Sequence, residues 1–389
     1  MSRLPQDYAG VAVAAPVSFG YARSSPHETP WFLGMTLAAM LRRAGLAKQQ
    51  VDGMAVASYT LAPDHSASLA EHLGLGPRFL VDIPFGGASG VVALRRAARA
   101  IQNGDAEVVA CLAADVAPTG DGISANFSRF ARDHVYPYGA GGANSVFALI
   151  TDHYMRAHGV TREDFGRLCI AQRENGLRFP GALVKAPLTM AEYLAARPVC
   201  EPLHLFDCVR RCCGAEGFLV LAEAHARSLG LPHVLIAGAV ERHNGLPHQP
   251  VQAGPLHGDI AALYEQAGMG PEAAHFVQAY DDYPVIVMLQ LEALGLCEAG
   301  GAAALLRTRS SSAEGELPLN THGGMLSLGQ AGAAGGFCGL TEALRQLTGE
   351  NLGPAVPGAS VGLVSCYGTV NYDRGICTSA AMLRTGQRT

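Results

Sequence analysis

The sequence predicts an α/β fold in which short buried strands alternate with helices. Through the first 116 residues, apolar runs of strand length alternate with segments of helical period. A Gly-rich turn, a helix and a buried strand follow one another twice, from Asp82 to Val116 and from Gly329 to Val370, which indicates a weak internal repeat. Hydrophobic residues make up 49% of the 389 residues and charged residues 16%, against a usual ~25% charged, so the chain can bury a large core.

The elements of the first part follow from local patterns. An apolar opening predicts a strand, and the helix after it has a stop signal in the basic pair before Gly45. A Gly-rich turn and a helix then precede a further strand. The predicted strands are 8–17, 51–60 and 107–114, and the predicted helices are 29–46 and 66–75, followed by the helix after the Gly-rich turn.

Residues 117–217 break this rhythm. They are rich in Asn, Arg, His, Pro and Gly, and they contain two predicted helices, at 142–159 and 161–176. We interpret them as an inserted lobe of loops and helices, after which strand-like segments resume. The predicted domains are therefore an N-terminal half of 1–116 and 218–245, the lobe of 117–217, and a C-terminal half of 246–389.

The composition argues against several classes of protein. The net charge is −5 and no basic stripe is present, so no nucleic-acid partner is expected. The uncharged segment 323–341 is Gly- and Ala-rich and lacks the ~20 apolar residues of a membrane span. The N-terminal residues do not resemble a signal peptide. Cys208, Cys212 and Cys213 have no matching second pair, so buried thiols in a reducing cytoplasm are expected, with no metal site.

Five motifs occur in one order along the chain: "PFGGASGVVAL" at 84–94, "ARPVCEPLHLFDCVRRCCGAEGFLVLAE" at 196–223, "QAYDDYPVIVMLQLEALGLCEAGGA" at 278–302, "LNTHGGMLSLGQAGAAGG" at 319–336 and "SCYGTVNYDRG" at 365–375. Together they resemble the thiolase superfamily, in particular the sterol-carrier-protein-x-like thiolases. The resemblance implies a five-layer α/β/α/β/α body of two similar halves. It also implies that the Gly-rich helices after Gly87 and Gly335 form the buried central layer, beneath the lobe.

The departures from this family fall on active-site positions. Gly87 occupies the position of the nucleophilic cysteine, Gln330 that of the histidine in the Gly-His-Pro loop, and Tyr280 that of the Asn or His of a third loop. The Cys-x-Gly loop is intact as Cys366-Tyr367-Gly368. Since glycine cannot accept an acyl group, this alignment excludes ordinary thiolysis through position 87.

Side chains near these positions allow more than one interpretation. Ser89 is either a substitute nucleophile or, as we favour, a helix cap. Tyr280 is a candidate acid–base group. One of the adjacent acids Asp281 and Asp282 could orient Tyr280 or His322, and Asp281 is the catalytic candidate of the pair. Alternatively, the acidic pair caps a helix that begins near Pro284.

Two further groups are catalytic candidates. His322, on a Gly-rich loop, is a candidate acid or base or a hydrogen-bonding loop residue. Cys366 corresponds to a cysteine that moves the α-proton in the resembling family. Alternatively, Cys366 is a small hydrophobic residue buried in the core. Tyr367 could line the pocket.

The resemblance also implies an oxyanion hole made of backbone N–H groups, at Gly87 and Gly368. Such donors do not depend on side chains, so the site can stabilise a thioester enolate without an acyl acceptor. We therefore favour retro-aldol or aldol chemistry on a β-hydroxyacyl-CoA, with coenzyme A as part of the substrate and no permanently bound cofactor. An unconventional acyltransferase, such as a thiolase or acetyl-CoA acetyltransferase, and a non-catalytic acyl-CoA-binding scaffold remain alternatives.

The expectations also include the residues that contact coenzyme A and the proteins that associate with the chain. Arg173 and Arg178 are candidate contacts for the nucleotide phosphates, because arginine binds phosphate through two parallel hydrogen bonds. Asn320 begins the loop past which the pantetheine arm is expected to run. The resembling proteins form homodimers, and some work with a small partner that has a zinc ribbon and an OB-fold.

Overall fold

The structure is a computed structural model that describes residues 7–117, 133–134, 136–139, 142–243, 258–371 and 374–386. Its strands are β1 (Val11–Ala22), β2 (Gly53–Ala57), β3 (Phe79–Asp82), β4 (Val108–Asp115), β5 (Pro198–Cys200), β6 (Leu203–His204), β7 (Cys213–Ala222), β8 (His233–His243), β9 (Phe276–Ala279), β10 (Val361–Asn371) and β11 (Arg374–Thr385). Its α-helices are α1 (Thr29–Ala44), α2 (Ser66–His72), α3 (Ser89–Asn103), α4 (Gly142–His158), α5 (Arg162–Leu177), α6 (Met190–Leu194), α7 (Glu223–Ser228), α8 (Ile260–Ala267), α9 (Pro284–Ala293), α10 (Ala302–Thr308), α11 (Gly324–Leu328) and α12 (Gly335–Thr348). The mixed α/β class is as predicted.

The main sheet has nine strands in the order β3-β2-β4-β7-β1-β8-β11-β10-β9. The sheet consists of two similar halves that meet at its middle. From the middle outward, the first half has the strands β1, β7, β4 and β2, and the second half has β8, β11, β10 and β9. Corresponding neighbours in the two halves pair in the same direction, parallel or antiparallel. An isolated parallel bridge from Val277 to Leu319 marks the place that β3 has in the first half. The weak sequence repeat therefore corresponds to a repeated α/β unit.

The two halves join between β1 and β8. These strands pair antiparallel over three positions, from Ala12 with Leu235 to Ala14 with His233. The hydrogen bonds between β1 and β8 therefore join the strands of both halves into one continuous sheet.

Alternating side chains distribute the core over several layers. In β4, Val109, Cys111 and Ala113 pack toward α3, whereas Ala110 and Leu112 pack toward α1. The second half behaves likewise, because α12 and α8 pack on opposite faces of its strands. The order of helix, sheet, helix pair, sheet and helix agrees with the predicted five-layer body.

Close contact between α3 and α12 forms the central layer. All but one of the 14 residues of α12 are buried, and it packs against strands of both halves. A Cβ atom on Gly90 would lie only 2.1 Å from the carbonyl oxygen of Gly336. A Cβ atom on Gly336 would lie 2.7 Å from the carbonyl oxygen of Gly86. These glycines are needed because the two helix N-termini meet backbone to backbone.

The helices of the predicted lobe pack on the second half. α4 contacts α9, and α5 contacts α9, α10 and α11. Strand β7, a central strand of the first half, begins at Cys213, which lies before the predicted lobe boundary at 217. Strand β8, which the prediction assigned to the N-terminal half, is the first strand of the second half in the sheet order. The division into domains remains a prediction.

Candidate functional site

A tight 3₁₀ turn, Gly86–Ala88, leads into α3. Gly86 has a left-handed φ of 53°, a conformation that favours glycine. On the other side of the turn, a Cβ atom on Gly368 would lie 2.4 Å from the amide nitrogen of Ala88 and 2.8 Å from that of Gly87. The two glycines of the predicted oxyanion hole are therefore in contact, and their proposed role remains a prediction.

The space beside Gly87 is filled by Tyr280. A Cβ atom on Gly87 would lie 2.3 Å from Cε2 and Cζ of Tyr280 and 2.2 Å from the carbonyl oxygen of Tyr367. Any side chain at position 87 would overlap the tyrosine ring. The structure thus brings a phenol from the second half to the position where the resembling family has its nucleophile.

Tyr280, Asp282 and Gln330 form a hydrogen-bonded group that we call the Tyr280 cluster. The hydroxyl of Tyr280 donates to Oδ2 of Asp282 at 2.7 Å. Nε2 of Gln330 donates to the Tyr280 hydroxyl at 3.0 Å and to Oδ1 of Asp282. The phenol oxygen therefore has one donor and one acceptor fixed, and it keeps a lone pair for a third partner.

Backbone contacts hold the cluster in place. Tyr280 follows β9, and its amide donates to the carbonyl oxygen of Ser365 at 3.0 Å. The side chain of Gln290, on α9, accepts from the Tyr280 amide at 3.2 Å and donates to its carbonyl at 2.6 Å. Gln330 is fixed by backbone hydrogen bonds to Arg210 and Cys212 at the start of β7. Such support restricts the tyrosine to one orientation.

Electrostatics suit the cluster to proton transfer. Burial raises the pKa of Asp282 to about 6, while the hydrogen bonds from Tyr280 and Gln330 oppose the increase. Burial, reinforced by the negative charge of Asp282, raises the pKa of Tyr280 well above 10. At neutral pH the phenol is therefore protonated and the carboxyl is mostly ionised. A carboxylate of this pKa can receive a proton through the phenol.

Asp281 stabilises a helix other than the expected one. Its carboxylate accepts from the amides of Met325 at 2.8 Å and Leu326 at 3.1 Å, in the first turn of α11. The helix that begins at Pro284 has no side-chain cap, so the predicted capping of that helix was wrong. Burial raises the pKa of Asp281 to about 7. The contacts of Asp281 support a positioning role for it, and Asp282 is the acid that bonds Tyr280.

The loop at Asn320 is packed closely against the lobe. The Asn320 side chain accepts from the Ala279 amide at 2.8 Å and donates to the Ala279 carbonyl at 2.9 Å. A Cβ atom on Gly323 would lie 2.4 Å from Cα of Gly176 in α5. The backbones of the lobe and of this loop are therefore in contact at Gly323, and the path of the pantetheine arm past Asn320 remains a prediction.

His322 is buried behind the same loop. It packs edge-on against Phe179, with ring centroids 5.9 Å apart, and neither ring nitrogen has a hydrogen-bond partner among the described residues. Burial and the positive charge of Arg345 lower its pKa to about 3. The imidazole is therefore neutral at physiological pH, and an acid–base role for it remains a prediction.

Cys366 and Tyr367 point to opposite faces of β10. Cys366 faces the central helices, where its Sγ lies 3.6 Å from the carbonyl oxygen of Gly336. Burial raises the pKa of Cys366 to about 12, which favours the neutral thiol. Tyr367 packs in the core of the second half, near Phe147. These surroundings favour the alternative interpretation of Cys366 as a buried small hydrophobe.

Ser89 does not form the predicted cap. It is the first residue of α3, and its hydroxyl donates to the carbonyl oxygen of Ile83 at 3.2 Å. The N-cap residue is Ala88, with no side-chain hydrogen bond. Ser89 is completely buried. Its contacts support neither the cap nor a nucleophilic role.

The two candidate arginines already have partners within the chain. Arg178 forms a two-pronged ion pair with Glu314, including a hydrogen bond of 2.9 Å. Arg173 donates to the carbonyl oxygen of Ala186 at 3.1 Å and lies over the ring of Phe206. Phosphate binding by either would have to compete with these contacts, and it remains a prediction.

Sequence reasoning missed two contributors. Asp115, at the end of β4, accepts from the amides of Tyr59 at 2.8 Å and Ala333 at 2.6 Å, and so links the loop after β2 to the Gly-rich start of α12. Tyr59 lies on the loop after β2, with its hydroxyl against Gly86. A usable signal was present, because polar and aromatic residues that follow a buried parallel strand often belong to a site.

Among the described residues, no group of three or more His, Cys, Asp or Glu side chains is placed to hold a metal ion. None of the helices within the described ranges has the length and apolarity to cross a bilayer.

Comparisons with known proteins agree with this geometry. Residues 257–377 match the family model described as "Thiolase C-terminal domain-like". The chain is 28% identical to the "Steroid side-chain-cleaving aldolase" of Thermomonospora curvata, over 98% of this chain and 99% of that protein. It is 29% identical to the "17-hydroxy-3-oxo-4-pregnene-20-carboxyl-CoA lyase" of Mycobacterium tuberculosis, over 81% of this chain and 85% of that protein.

Solved structures show the same fold. The structure titled "Ltp2-ChsH2(DUF35) aldolase" matches 97% of this chain and 98% of its own, with a TM-score of 0.82 and 26% identity. A monomeric "SCP2-thiolase like protein" from Mycobacterium smegmatis matches 98% of this chain and 78% of its own, with a TM-score of 0.73 and 16% identity. The chain is therefore similar over nearly its whole length to the steroid side-chain-cleaving aldolases, shares the fold of an SCP2-thiolase-like protein, and has a thiolase-like C-terminal part.

Proposed function

We propose that this protein cleaves the bond between the α and β carbons of a β-hydroxyacyl-CoA in a retro-aldol reaction. One observation carries the proposal: the ring of Tyr280 occupies the side-chain space of Gly87, and its hydroxyl is bonded to Asp282. An acyl acceptor is thereby replaced by a group that can take up a hydroxyl proton.

The reaction needs only proton transfers and an anion-stabilising site. The Tyr280 oxygen accepts the proton of the β-hydroxyl while its own proton passes to Asp282. The electrons of the carbon–carbon bond then form the thioester enolate, and the β carbon leaves as a carbonyl compound. The N–H groups of Gly87 and Gly368 stabilise the enolate oxygen, at about 3 kcal/mol for each well-placed donor.

The relatives support both the reaction type and the thioester. One is named as a side-chain-cleaving aldolase and another as a lyase of a carboxyl-CoA. Coenzyme A is part of the substrate in this proposal, and no permanently bound cofactor is required. Because the similar solved structure is titled as a complex with a DUF35 protein, we also propose that this chain works with a small partner subunit. We propose a homodimer as well, on the resemblance to dimeric thiolases alone.

A cytoplasmic location is part of the same proposal. All ten cysteines are free, which suits a reducing compartment.

An acyltransferase mechanism has less support in this geometry. It would need a thiolate or an activated serine, and the candidate groups are a buried thiol of raised pKa, Cys366, and a serine that donates to a backbone carbonyl, Ser89. Neither lies beside a base in the described residues. The alternative nevertheless predicts a distinct outcome in the test.

The test is a cleavage assay without free coenzyme A. The probes are 17-hydroxy-3-oxo-4-pregnene-20-carboxyl-CoA, which has its hydroxyl on the β carbon, and shorter β-hydroxyacyl-CoA thioesters. We expect a ketone or aldehyde and a shortened acyl-CoA in equal amounts, and no acyl adduct by intact-mass measurement. A requirement for free coenzyme A together with a stable adduct on Ser89 or Cys366 would establish an acyltransferase instead. Binding without turnover would favour the scaffold alternative.

A further inference from the structure

A second phenol lies at the same helix start as Tyr280. A Cβ atom on Gly86 would lie 2.1 Å from the hydroxyl oxygen of Tyr59, and one on Gly87 would lie 2.3 Å from the ring of Tyr280. Two consecutive glycines therefore each have a tyrosine in the space of the missing side chain. The two phenols come from different halves of the chain, Tyr59 from the loop after β2 and Tyr280 from the loop after β9.

The loop that carries Tyr59 is held firmly. Oδ1 of Asp115 accepts from the backbone amides of Tyr59 at 2.8 Å and Thr60 at 2.7 Å. The same oxygen accepts from the side-chain hydroxyls of Ser58 and Thr60. Asp115 itself is 2% exposed, on a central strand of the sheet. Two backbone and two side-chain hydrogen bonds to one buried carboxylate thus hold the loop in place, as a functional side chain requires.

The two phenols lie near each other at this helix start. Consecutive Cα atoms are ~3.8 Å apart, so the Tyr59 oxygen and the Tyr280 ring lie within roughly 11 Å of each other. A thioester bound with its carbonyl at this helix start would therefore have its α and β carbons near both phenols. Tyr59 as a whole residue is 49% exposed, while its hydroxyl lies against Gly86.

We propose that Tyr59 donates the proton that converts the enolate into the shortened acyl-CoA, an inference that rests on the proposed function. The O–H bond of Tyr59 breaks and a C–H bond forms at the α carbon, while the enolate electrons supply the new bond. The resulting phenolate recovers a proton from water, and Asp282 returns to water the proton that it received from the β-hydroxyl. One proton leaves the substrate oxygen and one reaches its carbon, so no other reactant is consumed.

The surroundings of Tyr59 favour its protonated form. Burial, reinforced by the negative charges of Asp115 and Asp282, raises the pKa of Tyr59 above its usual value. The phenol is therefore protonated at neutral pH and available as an acid. Tyr280 has Asp282 as its bonded acceptor and is suited to receive a proton, which gives the two tyrosines different tasks.

Hydrogen exchange at the α carbon separates these tasks, because it needs no β-hydroxyl. Propionyl-CoA is incubated with the full-length protein in D₂O, and deuterium in the thioester is measured by mass spectrometry. Cleavage of the β-hydroxyacyl-CoA probe is measured in parallel. The proteins are the wild type, Tyr59→Phe, Tyr280→Phe and the control Tyr264→Phe, which removes a hydroxyl bonded to the Leu294 carbonyl on an outer helix.

We expect the wild type to exchange, and to exchange faster as the pH rises, because exchange requires the Tyr59 phenolate. Tyr59→Phe should slow exchange by ~10²-fold or more, the usual contribution of one acid–base group, with its thermal midpoint unchanged. Tyr280→Phe should slow cleavage more than exchange, and Tyr264→Phe should alter neither.

Exchange by Tyr59→Phe at the wild-type rate overturns the assignment of Tyr59 and leaves the proposed function intact. The assignment of Tyr59 is also overturned, with the proposed function intact, if the wild type cleaves the probe but does not exchange the α-hydrogens of propionyl-CoA. Wild-type protein that neither cleaves nor exchanges removes the proposed function, and this inference with it.

Discussion

The ring of Tyr280 occupies the space that a side chain on Gly87 would need, with a separation of only 2.3 Å from the position of a Cβ atom. The absence of a nucleophile at position 87 and the presence of the phenol beside it therefore have the same structural cause. A glycine at position 87 admits a tyrosine from the other half of the chain, and Asp282 and Gln330 then fix its hydroxyl. This arrangement indicates an active site altered for another reaction and not one that has lost its function.

Removal of the Tyr280 hydroxyl tests this interpretation most directly. Tyr280→Phe keeps the ring against Gly87 but leaves no oxygen to receive the hydroxyl proton. We expect the cleavage rate to fall ~10²–10⁴-fold, with thioester binding nearly unchanged. Single-turnover rates and calorimetric binding are the measurements. A rate within threefold of the wild type would assign proton transfer to another group.

Restoring the family's cysteine should not restore a thiolase. In Gly87→Cys the new Cβ atom would meet both the ring of Tyr280 and the carbonyl oxygen of Tyr367, which is backbone and cannot rotate away. Overpacking of this kind costs ~1–3 kcal/mol, so the thermal midpoint should drop and cleavage should be lost. Gly87→Cys with Tyr280→Ala relieves only the ring contact and should recover part of the stability. Efficient acyl transfer by the single variant would contradict the model of the site.

The long elements of the fold could be predicted from the sequence because their apolar period is clear. β11 was missed, since "RGICTSAAMLRT" mixes small and polar residues of low strand preference. Its hydroxyl groups are accommodated by tertiary contacts, as in the hydrogen bond from Ser379 to the Ala88 carbonyl at 3.0 Å. β9 has only four residues, too few to show a period.

The site was only partly predictable for a similar reason. Motif position located Tyr280 and Gln330, which meet in the structure. The sequence could not decide between Asp281 and Asp282, because adjacent carboxylates in a loop differ only in the direction of their side chains. Tyr59 is more than 200 residues from Tyr280 in the chain, so only the pairing of the two halves brings them together.

Asp281 should affect stability first and activity second. Asp281→Ala removes the acceptor for the amides of Met325 and Leu326 in a buried region. Leaving such donors unpaired costs ~1–3 kcal/mol each. Since Met325 packs near Tyr280, cleavage should also decline. Asp281→Asn keeps one acceptor oxygen and should be intermediate in thermal midpoint. Equal midpoints for the alanine variant and the wild type would remove the positioning role.

His322 should make the fold sensitive to acid. Its pKa of about 3 in the folded chain lies below the 6.5 of an unperturbed histidine. Its neutral form therefore stabilises the fold above about pH 6.5, and this contribution is lost as the pH falls toward 3. At pH 5 the loss is ~2 kcal/mol, so His322→Leu should show a smaller drop in thermal midpoint between pH 7.5 and pH 5. An equal drop in both proteins would exclude His322 as the titrating group.

Asp282 should set the lower pH limit of activity. It accepts the proton of Tyr280 only when ionised, and burial raises its pKa to about 6. The kcat/KM should therefore fall about tenfold per pH unit below 6 and level off above it. Asp282→Asn should lose ~10²–10⁴-fold in rate and show no such limb. Its amide oxygen can still accept from Tyr280, so the variant should remain folded.

The stability of the fold should decrease with rising pH, whereas the activity increases. Because the folded pKa of Asp282 exceeds its usual 3.8, the fold favours the protonated carboxyl, and this stabilisation is lost as the pH rises through 6. The ionised form costs at most about 3 kcal/mol at pH 8, and less where water screens it. Asp282→Asn should thus be more heat-stable than the wild type at pH 8, with the two proteins converging toward pH 4. A variant that is inactive and also less stable at pH 8 would mean that Asp282 supports the fold rather than the reaction.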